Sequence, residues 1–339
     1  MFHRRESNDL AAALAVLLLL AGCQPSRGAD AGPSVRSSPV APAEAEQLRR
    51  VGRLEFRAGF VLGSRDPGFG GLSGLWLAPD GKCLIAASDG GILWAAELAH
   101  AGDGTLLGFD AWHAIEPATA AGDPTDGKRD AEALAELGDD LAIAYEGAHR
   151  LRRVPRAAPD AAAVPLPTPT ELAEPHNRGI EALVGLEGGA LLAIAEGVRR
   201  PSGDLAAWLI QDGRIEALSY APAAGFAPTG ADRLDDTIYV LERRVTLAGL
   251  LARVVALDAG EIEPGARLAG RELAVLGPPA LSDNFEGIAV RRGPDGGVLL
   301  YLVADDNFTA LLRTVVIQFA FRPDTLAPLL VEPPLDHCS

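Results

Sequence analysis

The stretch Gly179-Ile180-Glu181-Ala182-Leu183 opens an apolar run that reaches Leu186 and is followed by the turn Glu187-Gly188-Gly189. A second apolar run, from Ala190 to Ala195, leads into Glu196. Two apolar runs flanking a Gly-Gly turn predict a β-hairpin. Because hairpin strands are antiparallel, the start of the first lies beside the end of the second. We therefore expect Glu181 and Glu196 at the same end of this hairpin.

The hairpin pattern occurs five times along the chain. Each copy has a small or acidic residue opening a strand, a turn, an apolar strand and then an acid. The strands open at Ser73, Glu132, Glu181, Thr229 and Glu286, which are 48 to 59 residues apart. Each interval has room for two more strands, and repeats of four strands at this spacing are typical of β-propeller blades.

The last repeat is incomplete, because only one clear strand, 313–321, follows its hairpin. The N-terminal run from Val51 to Leu62 can supply the missing outer strand. We therefore predict an all-β fold, a β-propeller of five four-stranded blades closed by the N-terminal strand. A six-bladed ring fits as well if the long first or last interval contains another unit.

Composition limits the classes of partner. The 339-residue chain is 48% hydrophobic and 22% charged, which is ordinary for a globular protein, and carries a net charge of −16. Such an acidic protein does not bind nucleic acid through its overall field. The excess carboxylate suits cation binding or, alternatively, a solvated acidic surface. We expect a monomer.

The N-terminus has the features of an export signal. Arg4 and Arg5 precede the apolar run Ala11–Leu20, which is too short to span a membrane. The next residues, Leu20-Ala21-Gly22-Cys23, resemble the bacterial lipobox, which predicts lipidation of Cys23; an ordinary signal peptide with an incidental cysteine is the alternative. Gln24, in place of aspartate, indicates the outer membrane, facing the periplasm. The predicted segments are a lipoprotein signal peptide (1–22), a lipidated cysteine with a disordered tether (23–50), the propeller (51–325) and a C-terminal tail (326–339).

Two cysteines remain after Cys23. In an oxidising compartment Cys83 and Cys338 can form a bridge between the tail and an early strand, or they can stay as separate thiols. The sequence leaves both alternatives open.

The acids of the repeats are expected to converge. In a propeller the innermost strand of each blade lines the central channel, so strand starts and the ends of the following strands share one face. The predicted ligands of a divalent cation, Ca²⁺ or else Mg²⁺, are the acids at these places. They are Asp89, Glu132, Glu146, Glu181, Glu196, Glu242, Glu286, Asp305 and Asp306. The alternative is that these acids only satisfy backbone N–H groups at blade junctions.

Arginines follow several of the same hairpins. Guanidinium groups bind phosphate oxygens in a bidentate manner. The residues predicted to bind a phosphorylated small molecule are Arg150, Arg178, Arg199, Arg243 and Asn307. Each arginine could instead neutralise a neighbouring acid.

The repeat motifs are similar to those of the phytase-like family of secreted bacterial β-propeller proteins, named for the esterase-like activity of phytase. The similarity is carried by Gly71–Leu75 with Ser88-Asp89, Asp130–Leu134, Asn177–Leu183, Asn284–Ile288 and Asp305–Phe308. The resemblance implies a calcium-dependent phosphoester hydrolase. The chain differs from the family at Asp89-Gly90-Gly91, where an aspartate-arginine pair is usual, which puts a phosphate-binding arginine of that blade in doubt.

Three functions are compatible with these features. The first is a divalent-cation-dependent phosphoesterase of the cell envelope. The second is a non-catalytic propeller lipoprotein that binds a ligand or a protein, and the third is a lactonase-like metal hydrolase. The sequence assigns no catalytic residue.

Overall fold

Five antiparallel sheets arranged around one axis make up the structure. The computed structural model describes residues 35–118, 123, 129–172, 179–309 and 311–323. The predicted signal peptide, Cys23, Arg178, Cys338 and the tail 326–339 lie outside these residues. Cys83 is disulfide-bonded, and its partner also lies outside them. Within the described part of the chain, no helix is both long enough and apolar enough to cross a membrane.

The chain begins at the outer edge of the last blade. This segment comprises β1 (Arg36–Pro39), α1 (Pro42–Leu48), β2 (Arg50–Val51) and β3 (Leu54–Gly63). Blade 1 follows as β4 (Leu72–Leu77), β5 (Cys83–Ser88), β6 (Leu93–His100) and β7 (Leu106–Ile115). Blade 2 contains β8 (Ala131–Leu137), β9 (Asp140–Tyr145), β10 (Arg150–Pro155) and β11 (Val164–Leu166).

Blades 3 and 4 continue the pattern. Blade 3 contains β12 (Ile180–Gly185), β13 (Leu191–Arg199), β14 (Leu205–Gln211) and β15 (Arg214–Tyr220). Blade 4 contains β16 (Ala227–Leu234), β17 (Thr237–Thr246), β18 (Gly249–Asp258) and β20 (Arg271–Leu276). The short β19 (Arg267–Leu268), between β18 and β20, pairs in parallel with β15 of blade 3. Three 3₁₀ turns lie at Thr170–Leu172, Glu187–Gly189 and Ala259–Glu261.

Blade 5 joins the two ends of the chain. It contains β21 (Asn284–Arg292), β22 (Val298–Asp305) and β23 (Thr314–Phe321). Its fourth strand is β3, which pairs with β23 in the register Thr314↔Leu62 to Ala320↔Glu55. Five blades closed by an N-terminal strand are therefore confirmed, and the six-bladed alternative is not. Circular closure pairs strand edges that would otherwise be free to pair with another chain.

The predicted disordered tether is wrong for its C-terminal half. β1 adds a further strand to blade 5 by pairing with β3, and α1 buries Leu48 completely. The sequence of this segment shows no hydrophobic periodicity. All four β1 residues are exposed, so they need no apolar side chains, and α1, with seven residues, is too short for a repeating pattern. The order of the segment comes from contacts with the propeller and not from a pattern of its own.

The core lies between the blades. Each of five hydrophobic clusters is shared by two neighbouring blades, and most of the side chains are Leu, Ala, Val and Ile. The innermost strands β4, β8, β12, β16 and β21 pack each against the next, and β21 packs against β4. This closed contact brings residues that are distant in the sequence to one axis.

Small residues allow the innermost strands to come this close. A Cβ atom on Gly287 would lie 2.5 Å from the carbonyl oxygen of Ser73, and one on Gly230 would lie 2.5 Å from that of Glu286. The space left between the strands is about 10 Å³, roughly enough for one water molecule. The axis is therefore nearly filled below the level of the acids.

Candidate functional site

A β-bulge near the start of every innermost strand sets the geometry of the site. The strand register shifts between Ala131 and Ala133 in blade 2 and between Ile180 and Ala182 in blade 3. Corresponding shifts occur in blades 1, 4 and 5. A bulge leaves one residue unpaired and re-aims its side chain. The bulge positions of blades 1 to 5 are Ser73, Glu132, Glu181, Thr229 and Glu286.

Two further positions repeat beside each bulge. The exit position lies on the second strand of a blade where that strand leaves the hairpin pairing, or directly follows the strand, and its partner, the entry position, lies two residues before the bulge. The amide N–H of Glu146 donates to the Asp130 carbonyl at 2.7 Å, and that of Glu196 donates to the Gly179 carbonyl at 3.1 Å. The entry positions are Gly71, Asp130, Gly179, Ala227 and Asn284, and the exit positions are Asp89, Glu146, Glu196, Arg243 and Asp305. Together with the bulge positions they form a ring around one mouth of the axis.

Acids from blades 1 to 3 meet in two overlapping triads. In the first, one oxygen each of Asp89, Asp130 and Glu132 lie within 4.8 Å of one another. In the second, oxygens of Glu132, Glu146 and Glu181 do the same. Glu132 belongs to both triads, so the carboxylates of three blades form one continuous group.

Desolvation and mutual repulsion change the protonation of this group. Burial raises the pKa of Glu132 to about 12, and the carboxylates of Glu181 and Asp89 add to the shift. Burial likewise raises the pKa of Asp89 to about 7, although a hydrogen bond from Ser73 opposes the rise. The pKa values of Asp130, Glu146 and Glu181 are raised as well, in each case mainly by burial. Without a cation, the group holds protons near neutral pH because its members cannot all be ionised.

The part of the ring formed by blades 4 and 5 contains a positively charged side chain, Arg243. Arg243 donates hydrogen bonds to Glu286 and, at 2.6 Å, to the Asn284 side-chain oxygen, and its guanidinium lies 3.5 Å from Glu196. Desolvation alone would lower the pKa of Arg243, but the carboxylates of Glu286 and Glu196 raise it. Glu286 also accepts a hydrogen bond from Ser73 at 3.3 Å. These two acids thus share one counter-charge that the protein itself supplies.

Asp305 is the remaining acid of this half. It is 1% exposed and accepts a hydrogen bond from the Asn307 amide at 2.7 Å. Burial, together with the charges of Glu286 and Asp89, raises its pKa to about 8. Asp305 therefore lies between the ion-paired half and the acidic triads, largely protonated at neutral pH.

Two predicted metal ligands lie outside the ring positions and have other partners. Glu242 is fully buried, accepts a hydrogen bond from the Tyr220 hydroxyl at 2.6 Å and pairs with Arg253 at 2.7 Å. The exit position of blade 4 is the next residue, Arg243, and a shift of one residue along a strand turns the side chain to the other face. Asp306 accepts hydrogen bonds from the Gly71 and Phe308 amides and from Thr314, so it orders the loop after β22.

The predicted phosphate-binding residues are dispersed. Arg150 lies over the Tyr145 ring at 4.3 Å and pairs with Asp123 at 3.2 Å, while Arg199 donates to the Gly203 carbonyl at 2.7 Å. The Asn307 side chain is exposed in the loop that follows Asp305. Of the four predicted residues that the structure describes, only Arg243 lies within the ring, and Arg178 lies outside the described part of the chain.

Two residues that were not predicted from the sequence belong to the first triad or lie next to it. Asp130 belongs to the first triad, and its Oδ1 atom is buried without a hydrogen-bond partner among the described residues. The sequence feature that could have identified Asp130 is its position two residues before Glu132, the same offset that separates Asn284 from Glu286. Arg129 packs against the turn after Asp89, where a Cβ atom on Gly91 would lie 2.1 Å from the Arg129 Cβ. This arginine therefore lies beside the turn Asp89-Gly90-Gly91, which lacks an arginine of its own.

Comparison with known proteins gives one family match. The model of the phytase-like family, described as esterase-like activity of phytase, matches residues 67–308. A search of the curated proteins found no significant match.

Several solved structures are similar at low sequence identity. An endo-arabinase from Bacteroides thetaiotaomicron is 12% identical with a TM-score of 0.44, and the match covers 74% of this chain and 94% of the enzyme. A putative oxidoreductase (glucose dehydrogenase) from Thermus thermophilus is 15% identical with a TM-score of 0.35, covering 84% of this chain and 100% of the other. The Cps50 (Swd1) β-propeller domain from Myceliophthora thermophila is 12% identical with a TM-score of 0.38, covering 74% and 96%. At these scores, the description of the fold rests on the sheet topology of this chain.

Proposed function

The chain belongs to the phytase-like family, and from this premise we propose that it is a divalent-cation-dependent phosphoesterase acting on a phosphorylated small molecule. The observation that carries the proposal is the pair of acidic triads sharing Glu132. They lie at the mouth of the propeller, where a substrate can reach them. Propellers with other functions share this architecture, so the fold alone does not identify the function and the site must do so.

The residues of the triads fit a hard cation. All five side chains, Asp89, Asp130, Glu132, Glu146 and Glu181, offer carboxylate oxygens, which are the ligands that Ca²⁺ and Mg²⁺ prefer. The buried Oδ1 of Asp130 lacks a partner among the described residues, as expected for an atom whose partner is an ion. The cation would neutralise the group and polarise a phosphoryl oxygen.

The neighbouring side chains support such a site. The hydroxyl of Ser73 donates to Asp89 at 2.6 Å and fixes the orientation of that carboxylate. Arg243 pairs with Glu286 of blade 5 and with Glu196 of blade 3, so these two acids already have a counter-charge of their own.

Arg129 is the proposed substrate-binding arginine. Within the described residues it has no acidic partner, and it directly precedes Asp130 in the chain. Its guanidinium is thus free to form the bidentate contacts that phosphate oxygens favour.

The test is phosphate release from phytate and from aryl phosphates by the purified protein. We expect turnover with Ca²⁺ or Mg²⁺, loss of turnover with a chelator and recovery when the ion is restored. Absence of turnover with each ion, accompanied by ligand-induced stabilisation, would favour the binding propeller. Metal-dependent lactone hydrolysis without phosphate release would favour the lactonase-like hydrolase.

A further inference from the structure

Blade 4 carries an apolar hairpin tip beyond the ring. β17 passes the ring at Arg243 and continues to Thr246 before the chain turns into β18. Three residues of extended strand correspond to about 10 Å. Val245 is 75% exposed, and Leu247 in the turn is completely exposed. The tip therefore projects from the mouth face with apolar side chains in water.

Blade 5 has a second apolar projection on the same face. The loop from Asp305 to Thr314 connects the mouth ends of β22 and β23. Within it, Leu311 is 94% exposed and Phe308 is 48% exposed. The projections belong to adjacent blades, so one side of the mouth face carries both.

The N-terminal segment leaves the propeller at this side. Arg36 pairs with Gly63, and the neighbouring Leu62 pairs with Thr314 at the mouth end of β23. The chain before Val35 therefore starts beside the loop of blade 5. It contains the apolar run 11–20 and Cys23, and the residues between Cys23 and Val35 can span at most about 40 Å.

A basic cleft lies next to this exit. Arg36 and Arg65 line a surface cleft of about 300 Å³ at the mouth ends of β1 and β3. Neither arginine has an acidic partner among the described residues. In a chain with a net charge of −16, two arginines that have no acidic partner among the described residues and lie beside apolar projections form a local site for anionic groups.

We propose that this side of the mouth face docks on a lipid bilayer surface. Leu247, Val245 and Leu311 insert among the headgroups, while Arg36 and Arg65 contact the lipid phosphates. Separate projecting tips match a deformable lipid surface better than the flat, complementary surface of a folded protein. The acidic triads belong to blades 1 to 3, so docking through blades 4 and 5 leaves them accessible from water.

The test measures how deeply one introduced tryptophan inserts into the bilayer of lipid vesicles. The four native tryptophans are at most 5% exposed, so an added surface tryptophan gives a separable signal. The full chain carrying Leu247→Trp is mixed with vesicles of phosphatidylethanolamine and phosphatidylglycerol with brominated acyl chains. The control is Leu107→Trp, because Leu107 is 59% exposed near the opposite end of the axis. Flotation of the vesicles shows that both variants are bound.

We expect a blue shift and strong bromine quenching for Leu247→Trp, and neither for Leu107→Trp. Adding Arg36→Glu and Arg65→Glu should reduce the quenching to the level seen with vesicles that lack phosphatidylglycerol. The control reversal Arg214→Glu, at an exposed residue near the opposite end, should leave it unchanged. Vesicle-bound protein with equal quenching at both sites, or with none at position 247, overturns the proposal. If the protein fails to float with the vesicles, the proposal is overturned as well, and the projections would then be a surface for a protein partner.

Discussion

Glu132 and Glu181 occupy the same bulge position in adjacent blades, and their carboxylate oxygens approach within 4.8 Å. Glu146 lies within the same distance of both. At this separation two carboxylates repel each other by about 3 kcal/mol in surroundings of intermediate dielectric constant. The fold thus maintains a repulsion that is relieved by protons or by a bound cation.

The stability of the cation-free protein should fall as the pH rises. Asp89 and Asp305 have folded-state pKa values of about 7 and about 8, above the ordinary value of 3.8. The folded state therefore binds more protons than the unfolded state between about pH 4 and pH 8, so stability decreases with rising pH in this window. Thermal unfolding in a chelator should show this decrease, and Ca²⁺ should counteract it near pH 8. An unchanged melting temperature across the window would show that these acids ionise freely.

Glu242 should contribute to the stability of the fold and not to cation binding. In Glu242→Gln, Arg253 and the Tyr220 hydroxyl lose a buried charged partner. Loss of one member of a buried pair costs about 3 kcal/mol. Denaturant unfolding measures this cost, while calorimetry with Ca²⁺ should show an unchanged stoichiometry. The matched control Glu272→Gln, at the half-exposed second partner of Arg253, should cost less than about 1 kcal/mol.

Arg243 should stabilise the ring through Glu286 and Glu196. Replacing it with glutamine leaves these acids without their counter-ion, and we expect a loss of about 2 kcal/mol, because the side chain is only 24% exposed. The comparison is Arg199→Gln, since Arg199 is exposed and, within the described part of the chain, donates to the Gly203 carbonyl and has no acidic partner. Equal stability of the two variants at pH 8 would contradict the role given to Arg243.

Arg129 should affect substrate binding. For Arg129→Ala we expect KM for an aryl phosphate to rise about tenfold, corresponding to about 1.4 kcal/mol of lost phosphate contact, with a smaller change in kcat. Steady-state kinetics with saturating Ca²⁺ provide the measurement. Arg153→Ala is the control, because Arg153 is half-exposed and pairs with Asp140 away from the ring. If both variants keep the native KM, another group holds the phosphate.

The fold was largely predictable because its repeats are local. The hairpin around Glu181 and its four counterparts can be read from apolar runs and turns, and the short last repeat shows that Leu54–Gly63 must complete blade 5. The ordered segment around α1 was not predictable, since its order comes from packing against blades that are distant in the sequence.

The site was predictable in outline but not in register. Periodicity alone does not show a bulge, so the sequence could not decide between Glu242 and Arg243 in blade 4. Asp130 was missed for a related reason. It lies before the first residue of β8, and only the backbone pairing with Glu146 shows that it belongs to the ring.

Calcium titration of the chelator-treated protein by calorimetry tests the central claim most directly. We predict that the unmodified protein binds Ca²⁺ and that Glu132→Gln, which removes the carboxylate common to both triads, abolishes this binding. Glu216→Gln, at an exposed acid on β15, should bind as the unmodified protein does. Calcium binding that persists unchanged in a folded Glu132→Gln variant would place the cation elsewhere and contradict the account.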